Sequence, residues 1–339
     1  MNPTRYLRNN IIAGCENIAT VCLCALLLAA CATVTPKEML LRDGIHNIRD
    51  YRFDPESSLK SRIAEIPASN LAGVKQLDQR DDYLPYMPTA AERELLSGYM
   101  AQLPAAILRT MQNRLVAIYF VRNLKGAGMT DFVLSTDGKV YAVIYASTDV
   151  LGRGMSEWLT MRENSAFIQE TGGAQVVLEC GGRYEALMYL LLHESAHVYD
   201  YVHRVTPFAD RAIVTALGEK GKESPFVTGV WDDYDVPAKQ FGLTDNRQFH
   251  PYGFSPPALH SSTLGAFYGR VFRSPMVSGY ATTNWAEDFA ESVTFYHLTR
   301  TLNQSCSTTV REPGKAPVVY RPMESPLVQR RWGIIEKLP

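Results

Sequence analysis

Hydrophobic positions along this chain change period several times, and each change marks an element. Ile18 to Ala30 is a largely apolar run behind a start that carries Arg5 and Arg8. The chain from there to residue 88 is polar and irregular, with Pro55, Pro67, Pro85 and Pro88 breaking any long periodicity. Helical spacing begins at Leu95, Leu96, Tyr99 and Leu103, and Thr89 with Glu92 forms a capping-box signature ahead of them. Pro104 restarts a second helix to about Gln112. Leu115 to Val121 is β-branched and aromatic, which predicts a strand. Asp131 to Leu134 and Val140 to Ala146 flank Ser135-Thr136-Asp137-Gly138, a hairpin signal. A helix around Glu157 to Arg162 and a short strand from Ala174 to Glu179 follow.

The longest helical pattern runs from about Tyr184 to His203, with a weaker one near Arg211 to Leu217. Residues 220–283 show little periodicity apart from a helix near Leu264 to Val271, and a loop-rich stretch of that length is usually functional or inserted. Asn284 to Leu302 is helical again, and the tail from Cys306 is Pro-rich and extended. Strands, helix, insertion and helix in that order predict an α+β fold, its sheet built before the long helix. The expected divisions are a leader over 1–30, a tether and surface segment over 31–88, and a domain over 89–339 with an insertion at about 218–279.

The composition fits a folded chain: 339 residues, 46% hydrophobic and 20% charged. The 34 basic and 35 acidic side chains give a net charge of −1, which argues against nucleic acid as a partner. The apolar run near the start is shorter than the roughly 20 residues that span a bilayer, and extending it upstream would bury Glu16. It fits a secretory signal. Its end, Leu28-Ala29-Ala30-Cys31, resembles the lipobox of bacterial lipoproteins. That resemblance implies cleavage before Cys31, lipidation of Cys31 and anchoring in a lipid bilayer. With Ala32 next, the implied location is the outer membrane of the cell envelope, facing the periplasm or the cell surface. Removing Arg5, Arg8 and Glu16 with the leader leaves 32 basic and 34 acidic groups, net −2. Cys180 and Cys306 are then the thiols left after Cys31, a possible disulfide in an oxidising compartment.

Within the long helix stands His193-Glu194-Ser195-Ala196-His197. Four-residue spacing puts both imidazoles on one helical face, able to share a metal ion, while Glu194 lies beside them as a general base. An ionisable triple inside so apolar a helix is expensive without a purpose. A catalytic zinc wants a third protein ligand, and two candidates compete. His203 has metzincin-like spacing, but Asp200 stands where that pattern has glycine. On a continuous helix His203 would lie roughly 80° away and ~15 Å further along. Glu287 fits better, opening the next helix with Glu291 one turn on, a ligand followed by a carboxylate that orients an imidazole. The alternative there is an amphipathic surface helix with an Asn284/Glu287 capping box, and Asp288 reads as a residue of that surface.

Tyr280-Ala-Thr-Thr-Asn284-Trp-Ala-Glu287-Asp-Phe-Ala-Glu291 resembles a stretch of the anthrax lethal factor catalytic domain and its relatives, gluzincin-type zinc metallopeptidases. His193-Glu-Ser-Ala-His197-Val-Tyr-Asp200 is similar to that family's helix motif, with Tyr201 in place of a second Asp. The resemblance implies a zincin-like fold, a mixed sheet packed on the active-site helix with a helical C-terminal subdomain. It implies one zinc ion held by His193, His197 and Glu287, with Glu194 as base and acid. It further implies Tyr280 as the hydroxyl that steadies an oxyanion, with Asp200 and Glu291 in support. The implied substrate is a peptide or protein, expected to pair with an exposed edge strand at Val140 to Ala146. The rival functions are a non-catalytic surface lipoprotein and a zinc hydrolase acting on cell-wall crosslinks. Trp231, Tyr234, Phe249 and Tyr252 either line a specificity pocket or form the insertion's own small core, the commoner use of aromatics in a long loop.

Overall fold

Residues 35–42, 44–218 and 223–338 are described in a computed structural model of the chain, so the leader and Cys31 lie outside them. The first elements are helix α1 (Pro36–Leu40), strand β1 (Ile63–Ala64), helix α2 (Ala68–Asp78) and strand β2 (Leu84–Tyr86). Helices α3 (Ala90–Met100) and α4 (Ala105–Arg114) then lead into β3 (Leu115–Arg122), β4 (Gly128–Leu134) and β5 (Val140–Ser147). Thr89 and Glu92 form the capping box that opens α3. The sheet is mixed, in the order β1-β3-β5-β4, with β2 also paired to β3. β1 and β5 run parallel to β3, whereas β2 and β4 lie antiparallel to their partners.

Both faces of this sheet are covered, which is why β3 and β5 read as continuous apolar runs. Ile118, Phe120, Ala142 and Ile144 face the main core, while Ala117, Tyr119, Val121 and Val143 pack with Ile66, Val74 and Tyr83 on the other side. The segment expected from its prolines to be a tether and surface piece therefore belongs to the fold over most of its length. It contributes two strands and the cover of one sheet face. Buried Arg62 donates to the carbonyls of Met111 and Leu115 at 3.0 and 2.7 Å, and buried Asn70 bonds the hydroxyls of Tyr51 and Tyr145. Prolines interrupt the period without loosening the packing.

On the main-core side come α5 (Met155–Asn164), β6 (Phe167–Ile168), β7 (Gln175–Glu179), α6 (Ala186–His203) and α7 (Arg211–Leu217). Helix α6 is apolar all round, and every residue from Ala186 to Ala196 is buried, as expected of a helix enclosed by its neighbours. It packs on β4, β5, α4 and α5. The insertion carries the short antiparallel pair β8 (Trp231–Asp233) and β9 (Val236–Pro237), then β10 (Leu259–His260) beside β6, and α8 (Leu264–Val271). Helix α9 (Trp285–Tyr296) crosses α6 and continues through a π turn at His297–Thr301.

The tail is extended where expected, but its strands are paired and it ends in two short helices. Its β11 (Ser307–Arg311) pairs antiparallel with β7 on one side and with β12 (Val318–Tyr320) on the other, and α10 (Pro326–Gln329) and α11 (Trp332–Ile335) close the chain. Cys180 and Cys306 form a disulfide at the end of β7 and the start of β11, 126 residues apart in sequence. Asp288 is no surface residue. It is wholly buried and accepts a two-pronged contact from Arg331 at 2.5 and 2.6 Å, with a further bond from Trp231 at 2.9 Å. The folded chain is thus a mixed α+β structure in which insertion and tail both grip α9. Breaking the disulfide by the paired change Cys180→Ala and Cys306→Ala is expected to cost about 2–5 kcal/mol, because the loop it closes is long. Urea unfolding of the variant against the oxidised wild type measures it.

Candidate metal centre

Helix α6 presents His193 and His197 one turn apart, and the first turn of α9 presents Glu287 opposite them. Asn284 sets where α9 begins: its extended backbone precedes the helix, and its side-chain oxygen accepts from the N–H groups of Ala286 and Glu287 at 3.0 Å each. The capping box is only half formed, since the Glu287 carboxylate turns to the histidines instead. His193 Nε2 lies 2.9 Å from Glu287 Oε2 and 3.2 Å from His197 Nε2, and His197 Nε2 lies 3.4 Å from Glu287 Oε2. Donors held tetrahedrally at about 2.0–2.1 Å from one zinc-sized ion are about 3.3 Å apart. Two imidazole nitrogens and a carboxylate oxygen converging at that spacing fit a divalent ion, and this group could hold one.

His193 is oriented from behind. Its Nδ1 lies 3.2 Å from Glu291 Oε1 and 3.3 Å from the Tyr189 hydroxyl, which itself donates to Glu291 at 2.5 Å. A proton on Nδ1 leaves the Nε2 lone pair free to face the ligand group. Burial works against a charged imidazole here, but the hydrogen bonds to Glu287 and Glu291 outweigh it and hold His193 up at about 10. Burial likewise raises Glu287 and Glu291, yet His197 and His193 beside the first, and Arg162 beside the second, bring both well below the usual carboxylate range. His193 therefore favours its protonated form, and an ion bound at Nε2 would displace that proton.

Glu194 stands beside this group and is buried, which raises its pKa. Thr130 on β4 donates its hydroxyl to Glu194 Oε2 at 2.8 Å. Strand and helix approach closely there, and a Cβ on Gly128 would lie 2.9 Å from the Tyr145 carbonyl oxygen and 3.1 Å from Glu194 Oε1. Tyr280, in the turn before α9, lines the same cleft, with its ring centroid 5.7 Å from that of His193. Burial raises its hydroxyl far above the usual value.

The cleft holds about 440 Å³. One wall is the start of β4, Gly128 to Thr130; β4 is an edge strand whose far end is bridged to Asn47, whereas Val140–Ser147 is interior, paired on both flanks, and cannot take an added strand. The other wall comes from the insertion, through Tyr234, Phe249, Pro251 and Phe254. The aromatics expected to line a pocket or form the insertion's private core thus divide their roles. Trp231 bonds Asp288, Phe249 is buried against Phe267 yet reaches the cleft, and Tyr252 packs edge-on to Tyr280. Tyr252 has a left-handed backbone with φ 61°, held by the Ser165 hydroxyl, which accepts from its N–H at 2.8 Å.

One other expectation holds and one changes. His203 does not join the ligand group: α6 continues past Asp200, and the His203 ring bonds Thr110 at 2.9 Å and stacks on Tyr199. Asp200 accepts from the Thr206 N–H at 2.7 Å and from its hydroxyl at 2.5 Å, so it clamps the chain leaving α6. Residues that sequence reasoning passed over include Thr130, Tyr189, Arg162 and Glu163. The last two were detectable, because they fall on the apolar stripe of α5 with Met155, Trp158 and Leu159. No family model, no curated protein and no solved structure matches this chain.

Burial raises the Asp200 carboxyl to about 6, against the opposing hydrogen bonds from Thr206. A folded-state pKa above the unfolded value of about 3.9 means that its stabilising contribution is whole below pH 4 and is lost as pH rises through 6. Asp200→Asn carries no charge and can still meet Thr206, its amide oxygen accepting from the N–H and its NH2 donating to the hydroxyl. Its stability relative to wild type should therefore rise by about 2–3 kcal/mol between pH 4 and pH 7. Paired urea titrations across that range read the difference.

Proposed function

We propose that this chain is a zinc-dependent metallopeptidase of the gluzincin type, with a zincin-like fold, exported and anchored to the bacterial envelope through lipidated Cys31. The observation that carries the proposal is the convergence of His193, His197 and Glu287 with Glu194 beside them in an open cleft. Family resemblance in two short motifs and the chemistry of the donor set support zinc over harder ions, which favour all-oxygen sites. When bound, the ion supplies Lewis acidity, polarising a carbonyl and acidifying water.

The chain's own groups supply the rest. Glu194, kept out of bulk water and steadied by Thr130, accepts the proton of the attacking water and returns it to the leaving nitrogen. Its burial-raised pKa favours that return. Tyr280 stays protonated at neutral pH and donates its O–H to the oxygen on which charge develops. An extended polypeptide would add at the Gly128 end of β4 by main-chain hydrogen bonds, running between that end and the wall of Tyr234, Phe249 and Phe254. An open groove of about 440 Å³ beside an edge strand supports a polypeptide substrate over a compact small molecule.

Glu194→Gln is expected to bind one zinc per chain by metal analysis while losing at least about a hundredfold in cleavage rate, the typical worth of a general base. Cleavage is read by mass spectrometry of a degenerate peptide library, with and without chelator. A Glu194→Gln protein with wild-type turnover would overturn the assignment. Tyr280→Phe should lower kcat by on the order of a hundredfold with KM little changed.

A further inference from the structure

Helix α5 ends in two adjacent charges that take no part in the chemistry proposed above, yet both are wholly buried. Arg162 uses every N–H of its guanidinium. Nε and Nη2 donate to Glu163 Oε1 at 3.1 and 2.7 Å, Nη2 and Nη1 donate to the two oxygens of Glu291 at 2.9 and 3.2 Å, and Nη1 also donates to the Tyr189 hydroxyl. The flat face of the guanidinium lies 4.7 Å from the centre of the Tyr280 ring. Glu163 in turn accepts the Tyr280 N–H at 3.2 Å and the Tyr268 hydroxyl. The backbone before Tyr280 is drawn so close that a Cβ on Gly279 would overlap Glu163 Oε2 and Phe249.

A buried ion cluster is a poor way to stabilise a fold, since apolar side chains of the same volume do as well or better. The partners of this one are specific. Glu291 faces the back of His193, and Tyr280 faces the cleft. We infer that Arg162 and Glu163 are positioning residues: Arg162 holds Glu291 against His193 and so fixes a metal ligand, and Glu163 fixes the turn that aims Tyr280. The inference rests on the metallopeptidase reading. It assigns the two halves of the site, ligand set and oxyanion donor, to one helical turn that touches neither metal nor substrate. Lysine cannot replace the arginine, having three donors and no planar fork.

Cobalt(II) binding to the full folded domain, followed by its visible absorption, provides the test. Arg162→Lys should weaken cobalt affinity about 10–100-fold, as loss of an outer hydrogen bond to a ligand does, and should change the band shape. Glu163→Gln should leave affinity within about threefold of wild type and lower kcat about tenfold at constant KM, the size of a general loss of alignment. Because Glu163 acts through Tyr280, the double variant Glu163→Gln/Tyr280→Phe should be no slower than Tyr280→Phe alone. Wild-type cobalt affinity and spectrum in Arg162→Lys, or additive losses in the double variant, would overturn the inference. If Arg162→Lys does not fold, Arg162→Gln, whose amide can donate to only one oxygen of Glu291, is put through the same cobalt titration with the same expected and overturning results, and the additivity result decides the Glu163 half. Wild-type protein that binds no cobalt would overturn the metal-site reading itself.

Discussion

His193 is gripped at both ring nitrogens by carboxylates of one helix: Nε2 faces Glu287 and Nδ1 faces Glu291. Those carboxylates stand one turn apart on α9, as the histidines do on α6, so the crossing of the two helices is set by matched spacings. The rest of the molecule serves that crossing. Burying such a group away from water is tolerable only where each charge meets an opposite charge or a donor, and the fold meets this condition residue by residue. Arg162 answers Glu291, Thr130 answers Glu194, and a cation is the natural answer to the three converging ligands.

Several distant segments keep α9 in place. Asn284 fixes its first residue, Arg331 from the tail and Trp231 from the insertion fix Asp288, and the disulfide secures the strand that leaves it. The insertion thereby has two structural duties. One part braces α9, and another forms the cleft wall opposite β4, where Lys125 holds the turn by donating to the Gly253 carbonyl at 2.9 Å. A cleft with the start of an edge strand on one side and an aromatic wall on the other suits an extended chain. Within the segment expected as tether and surface, residues 48–83 cover the far face of the sheet behind β3 and β5.

Much of this was legible in one dimension. Helix α6, the hairpin β4–β5 and helix α9 follow from apolar period and turn chemistry, and the His-Glu-x-x-His spacing follows from helical geometry alone. The strands in proline-rich stretches were not legible, because β1, β2, β11 and β12 are short and owe their existence to partners that are distant in sequence. Asp288 was misjudged for a related reason. A charge in the first turn of a helix looks solvated unless the arginine that buries it, 43 residues later, is known to be there.

The sequence by itself determined which chemical groups could meet on one helical face, since that depends only on the spacing of neighbours along a regular backbone. It also supplied the expectation that residues 1–31 act as an address, which lies outside the described residues. The tertiary structure decided which group joins the two histidines, because Glu287 is brought across 90 residues of chain while His203, ten residues from His193, is carried away along its own helix. It decided too which strand is the edge and which charges are buried. Those are properties of distances between segments, and no local period records them.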